Sequence, residues 1–99
     1  MTSPPRRPSS ITARILFPPK ALGEGWEDLD RGPRAFPTYL HESHPSGATA
    51  HVSWNLDQGG WRAAVNHDDD AYRSDSHKTP QEAATWASSV MNDIGNNKL

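Results

Sequence analysis

The chain has 99 residues, enough for one domain, and no cysteine, which excludes a disulfide, a thiolate metal site and a cysteine nucleophile. The absence of cysteine suits the cytoplasm. Only 33% of the chain is hydrophobic and nine residues are proline, so part of it must lie outside the core; no apolar run approaches the ~20 residues of a membrane span, and the N-terminus lacks the apolar stretch of a secretory signal. The net charge of −2 is uneven: residues 1–20 hold Arg6, Arg7, Arg14 and Lys20 without an acid, whereas Arg62, Arg73, Lys78 and Lys98 face Glu42, Asp57, Asp68, Asp69, Asp70, Asp75, Glu82 and Asp93, an acidic body unlike that of a general nucleic-acid binder.

Met1–Ser10 is rich in Pro, Ser and Arg and predicts a disordered basic tail. Within it Pro5-Arg6-Arg7-Pro8 has the spacing of a polyproline-II ligand, although a solvated tail accounts for the same residues. Ile11–Phe17 alternates, with Ile11, Ala13, Ile15 and Phe17 on one side and Thr12 and Arg14 on the other. It predicts a first strand, ended where Pro18 and Pro19 remove two amide donors. Lys20–Arg34 is polar and glycine-rich and reads as a long loop. Trp26 and Leu29 are three apart there, a spacing at which one helical turn would tuck both against the core. Trp26 is thus either a loop anchor, the preferred reading, or an exposed binding residue. Ala35–Glu42 predicts a second strand with Phe36, Thr38 and Leu40 opposed to Tyr39 and His41; Pro37 makes it an edge strand or a bulged one. Ser43–Gly47 is a turn.

Ala50–His67 predicts a β-hairpin. Ala50, Val52, Trp54 and Leu56 alternate with His51, Ser53, Asn55 and Asp57; after the turn Trp61, Ala63 and Val65 alternate with Arg62, Ala64 and Asn66. Gly59 and Gly60 admit positive φ, so the turn is placed there. A two-residue loop at Gly59-Gly60 sets Trp54 opposite Val65; a loop centred between Gln58 and Gly59 sets Leu56 opposite Trp61. A three-residue loop needs a bulge to do the same. An odd shift without a bulge turns one apolar set into water. Each inner tryptophan hides on the order of 200 Å², about 5 kcal/mol apiece as an upper bound.

His67-Asp68-Asp69-Asp70 is a polar loop, and Ala71–Ser76 predicts a fifth short strand with Tyr72 inward and Arg73 and Asp75 outward. Thr79–Gly95 predicts a helix. Thr79 is its N-cap, Pro80 its first residue, and Glu82 completes a capping box. Ala83, Trp86, Ala87, Val90, Met91 and Ile94 form its apolar stripe, Gly95 its left-handed stop. The opposite side, Gln81, Thr85, Ser88, Asn92 and Asp93, has no positive charge and makes a poor recognition helix for DNA. The expected fold is α+β: an antiparallel sheet of four to five strands with one C-terminal helix packed on one face. It forms a single domain over residues 11–95, with a frayed end at 96–99.

His41-x-x-His44 and the His67–Asp70 run are the candidate metal ligands, but no spacing fixes a third ligand and the acidic run lacks the glycine and distal glutamate of an EF-hand loop. No Gly-x-Ser-x-Gly elbow or glycine-rich phosphate loop occurs, so neither enzyme chemistry nor a metal or cofactor is expected. The outward side of the hairpin is richer in function. His51, Ser53, Asn55, Arg62 and Asn66, with Arg73 from the next strand, give a sheet surface of hydrogen-bonding groups around one small apolar residue, Ala64. Such a face suits base edges or a protein surface, or is simply the solvated side of an antiparallel sheet.

Gly60-Trp61-Arg62-Ala63-Ala64-Val65, a polar turn and then Thr79-Pro80-Gln81-Glu82-Ala83-Ala84-Thr85-Trp86-Ala87 resemble the N-terminal arm-binding domain of phage tyrosine integrases. That resemblance implies a three-stranded sheet with a packed helix that binds DNA through the sheet. The matching positions are mainly core and cap positions. The loop after the hairpin is acidic where that family is usually basic, and Arg62 and Arg73 are the cations left on the sheet face. The composition also resembles small accessory proteins of actinobacteria and their phages. The expected role is a non-catalytic protein-binding module, an adaptor or inhibitor, acting through the outer sheet face and the 20–34 loop with Trp26. The alternative is an integrase-arm-like DNA binder using Asn55, Arg62, Asn66 and Arg73. The partner is expected to be another protein, or DNA on the alternative, and not a membrane.

Overall fold

The computed structural model describes residues 12, 15–29, 37–55 and 59–98. Five strands, β1 (Trp26–Asp28), β2 (Tyr39–His41), β3 (Thr49–Asn55), β4 (Gly60–His67) and β5 (Asp70–Arg73), lie side by side in chain order as one antiparallel sheet. A short helix, α1 (Pro19–Leu22), precedes β1, and a long one, α2 (Pro80–Gly95), packs on β3 and β4. This is the expected α+β arrangement. The expected N-terminal tail lies outside the described residues.

The hairpin keeps the alternation but not the expected register. Ala50 pairs with Val65, Val52 with Ala63, Trp54 with Trp61 and Asn55 with Gly60, which leaves residues 56–59 as a four-residue connection. The shift is even, so the apolar sets stay on one side. The pairing is nevertheless two residues from the register with Leu56 opposite Trp61 and four from the one with Trp54 opposite Val65, because of the two glycines only Gly59 is in the turn. Its φ is +66°, and its N–H donates to the Asn55 carbonyl at 2.9 Å. The gain is a direct Trp54–Trp61 pair, edge-to-face with centroids 5.6 Å apart. Leu56 lies outside the described residues.

Gly60 belongs to β4 and is glycine for another reason. A Cβ there would overlap Ser76 Oγ and lie 2.8 Å from the His77 carbonyl oxygen. Residues 74–77 run along the start of β4: Trp61 N–H donates to His77 O at 2.8 Å and His77 N–H to Trp61 O at 2.7 Å. With Ala64 opposite Arg73, a regular ladder would bring Ser76 opposite Trp61, so one extra residue is bulged here. Buried Ser74 fills the break, its hydroxyl accepting the Ala63 N–H at 2.8 Å.

Three expectations about the N-terminal half are overturned. First, Thr12, Ile15 and Leu16 are helical rather than a strand, and Ile15 and Leu16 are 74% and 58% exposed. The alternation over so short a run also satisfies an i, i+4 pattern, an ambiguity inherent in short apolar stretches. Of that set Phe17 packs on the core, edge-to-face with Trp61 at 5.9 Å, and its carbonyl accepts the Tyr39 hydroxyl at 2.6 Å. Pro19 starts α1, where its missing N–H costs nothing. Second, Trp26 and Leu29 are not on a helical turn: Trp26 opens β1, opposite His41, and Leu29 N–H continues the ladder by donating to Thr38 O at 2.8 Å. Third, β2 lies inside the sheet, with β1 covering it, and Pro37 sits buried just before its first ladder residue, Tyr39. Tyr39 and His41 take the inward side of β2.

Thr79 caps α2, its hydroxyl oxygen accepting the Glu82 N–H at 3.2 Å, while the Glu82 carboxylate accepts the Lys78 N–H at 3.1 Å. Ala83, Ala84, Ala87 and Met91 are buried against Ala50, Val52, Trp61, Ala63 and Val65, and Trp54, Trp86, Val90 and Ile94 close the margin half-buried. Alanine on both helix and sheet lets the two layers approach closely. The left-handed stop is two residues later than expected. Gly95 is helical, and Asn97, at φ 56°, is the left-handed residue. Asn97 N–H donates to Ile94 O and Lys98 N–H to Asp93 O, the two bonds of a Schellman closure.

Candidate functional site

The side of the sheet away from α2 is assembled by the ladder itself. His51 on β3, Ala64 on β4 and Arg73 on β5 form one cross-strand row. Ser53 and Arg62 form the next row, and Thr49, Asn66 and Ala71 the row on the other side. Because Ala64 ends at a methyl and its neighbours are long, the centre of the face is a concavity of about 300 Å³ lined by His51, Ser53, Arg62, Ala64, Asn66 and Arg73. Arg62 and Arg73 occupy diagonal positions on adjacent strands, close enough for their charges to act on one bound group. His51 is half-buried, and burial first, then the neighbouring Arg73 charge, hold its imidazole below the usual value of 6.5. It is therefore neutral at pH 7, a hydrogen-bonding group rather than a third cation.

Five of the seven sequence-predicted binding residues thus meet in one place: His51, Ser53, Arg62, Asn66 and Arg73. Asn55 does not join them; it ends β3 beside the loop, opposite Gly60. Trp26 is corrected outright as an exposed contact. It is 5% exposed, edge-to-face with His41 at 5.3 Å and part of the core. An isolated tryptophan in a glycine-rich stretch gives no sign of which it is until its strand partner is known.

A second cluster was not foreseen. The Ser46 N–H donates to His44 Nδ1 at 3.1 Å, so that nitrogen carries no proton and Nε2–H donates to Asn92 Oδ1 at 3.0 Å. The Ser46 hydroxyl donates to the same Nδ1 at 2.8 Å and accepts the Ala48 N–H at 3.1 Å. This network ties the β2–β3 turn to the last turns of α2 across 48 residues of sequence, a separation no local motif announces. It borders a cleft of about 550 Å³ lined also by His67, Ile94 and Asn96.

As for metals, both His44 nitrogens are hydrogen-bonded, His41 packs on Trp26, and His67 lies 3.6 Å from the Asp68 carboxylate. Among the described residues no three His, Asp or Glu side chains group as a metal would need. Among the same residues no helix is long and apolar enough to cross a membrane. Comparisons with family models, with curated proteins and with solved structures find no match to this chain.

Proposed function

We propose that this chain is a small non-catalytic binding module, an adaptor or inhibitor that recognises another protein through the outer face of its sheet. The observation that carries this reading is convergence. Polar side chains from three adjacent strands line one concavity on the face that α2 leaves uncovered. The inward face is consumed by the core, so the outer face is where a five-stranded sheet has chemistry to spend.

A photo-crosslinking residue placed at Ser53, with a control at Thr85 on the exposed side of α2, tests it in the native host. A partner captured from Ser53 and not from Thr85, and lost when Ala64→Arg fills the concavity, is the expected result. Equal capture from both positions, or capture indifferent to Ala64→Arg, removes the reading.

The second reading is DNA binding by the same face, of the integrase-arm kind. It is favoured by Arg62, Asn66 and Arg73 sharing one concavity and by the basic residues 6–20. Phosphate contacts make affinity fall steeply with salt. A duplex bound at about 50 mM salt and released by about 200 mM, together with nuclease-sensitive capture, would put this reading in place of the first.

A further inference from the structure

Resting on the sheet-face reading, we propose that the concavity over Ala64 is an anion socket, and that it seats one aspartate or glutamate carboxylate of the protein partner. The Ala64 methyl is its floor. In the same ladder row His51 stands on one side and Arg73 on the other; along β4, Arg62 and Asn66 stand two residues before and after Ala64, on the same face. Two guanidinium groups on different strands thus border a recess one side chain deep. A planar guanidinium presents parallel N–H groups that match a carboxylate's two oxygens, and such charge-assisted pairs are stronger than neutral ones. Asn66 and Ser53 add neutral donors at the rim. His51, neutral and half-buried, contributes an N–H without further charge repulsion.

The surroundings favour a single carboxylate over a polyanion. Asp68, Asp69 and Asp70 are exposed at the β4–β5 turn, one ladder step beyond the Asn66–Ala71 pair, and exposed Asp75 follows Arg73 by two residues. A nucleic-acid backbone carries a charge every ~1.7 Å of duplex, so seating one phosphate here would press its neighbours against those acids. One carboxylate on a protein surface brings no such neighbours. The chain's overall charge of −2 acts in the same direction.

The test is an NMR titration of the full 99-residue chain with four probes: acetyl-Gly-Glu-Gly-amide, its glutamine counterpart, inorganic phosphate and a short DNA duplex. Saturable shifts at the His51, Ala64 and Arg73 amides and the Arg62 and Arg73 Nε–H groups are expected with the glutamate peptide and not with the glutamine one. Arg73→Gln, at an exposed position, is expected to weaken the glutamate peptide at least about tenfold with an unchanged melting midpoint. Arg62→Gln is the second variant. Equal shifts with the glutamine peptide, or undiminished binding in both variants, overturns the socket. Tighter binding of phosphate or duplex than of the glutamate peptide overturns the choice of a carboxylate. A Ser53 cross-link that persists without any glutamate-dependent shift removes the socket and leaves the sheet-face reading standing. Glutamate shifts without a Ser53 cross-link remove the sheet-face reading and, with it, the socket's occupant.

Discussion

Gly59 and Gly60 are adjacent but are held for different reasons, and alanine separates them. At Gly59 the backbone is left-handed, φ +66°, with nothing within 4 Å of an added Cβ. Alanine there pays only the conformational penalty, about 1–2 kcal/mol, partly offset by the lower entropy of its unfolded chain. At Gly60 the obstacle is steric. The added methyl would overlap Ser76 Oγ, a side-chain end that can turn aside, but would also sit 2.8 Å from the His77 carbonyl oxygen, which is backbone. Relief requires the 74–77 bulge to lift from β4, and the bulge is held by the reciprocal Trp61–His77 bonds. Overpacking costs about 1–3 kcal/mol, and each of the two weakened hydrogen bonds roughly 1 more, so Gly60→Ala is expected to cost about 3–5 kcal/mol. That is a large share of the roughly 5–15 kcal/mol available to a domain of this kind. Urea denaturation followed by tryptophan fluorescence measures both variants. Gly59→Asn should be well tolerated, since asparagine visits the left-handed region, while Gly60→Asn should fare worse than Gly60→Ala. Gly60→Ala combined with Ser76→Gly should recover only part of the loss, because the His77 oxygen remains. If Gly60→Ala proves no more harmful than Gly59→Ala, the close approach of the 74–77 segment is wrong.

Further consequences follow from single contacts. Thr79→Ala removes the N-cap of α2 and should cost about 1 kcal/mol in urea denaturation, with Thr79→Ser restoring most of it. Asn92→Ala breaks the bond from His44 Nε2 and should cost about 0.5–1.5 kcal/mol, an effect that disappears in a His44→Ala background because the two residues share one interaction. His51 should make folding sensitive to acid. Well above pH 6.5 it is neutral in both states; as pH falls through 6.5 the unfolded chain takes the proton first, so stability is lost until the pH passes the lowered folded-state value. The stability difference between the parent chain and His51→Gln should therefore shift against the parent between about pH 7.5 and pH 5.5, and an unchanged difference would contradict the burial and charge environment of that imidazole.

What the sequence disclosed and what it concealed divide along the range of the interaction. The helix is legible because its signals are local: Thr79, Pro80 and Glu82 announce a start, and the stripe from Ala83 to Ile94 announces a buried side. Its end was misplaced by two residues because Gly95 offers a left-handed stop that Asn97 takes instead. The alternation of β3 and β4 is legible for the same reason, and it carried the outer face with it, which is why His51, Ser53, Arg62, Asn66 and Arg73 fall together as the pattern implied. The register was not legible, since any even loop satisfies the alternation; the choice rests on Trp54 meeting Trp61 and on the bulged 74–77 segment further along the chain. The Ile15-Leu16 strand failed because the sheet is filled by later segments. Trp26 is the core anchor of the preferred reading, but its place in a strand was not legible because its partner, His41, lies far along the chain. The His44–Asn92 tie failed for the same reason.

Ala63 and Ala64 are neighbours with opposite surroundings. Ala63 faces α2 and is fully buried, so its small size is explained by the closeness of helix and sheet. Ala64 faces away, half-buried between His51 and Arg73, where packing against α2 places no limit on size. A mid-strand position of this kind ordinarily favours a β-branched residue, worth up to about 1 kcal/mol over alanine. Ala64→Thr is therefore expected to leave stability unchanged or raise it by a few tenths of a kcal/mol, while filling the recess and weakening the glutamate peptide. Both are measurable on the same sample, by urea denaturation and by the NMR titration. A gain in stability with a loss of binding means the alanine is kept for what it leaves open. A loss of stability instead means Ala64 is small because the sheet needs it so, and the recess above it is then a by-product of packing with no claim to a ligand.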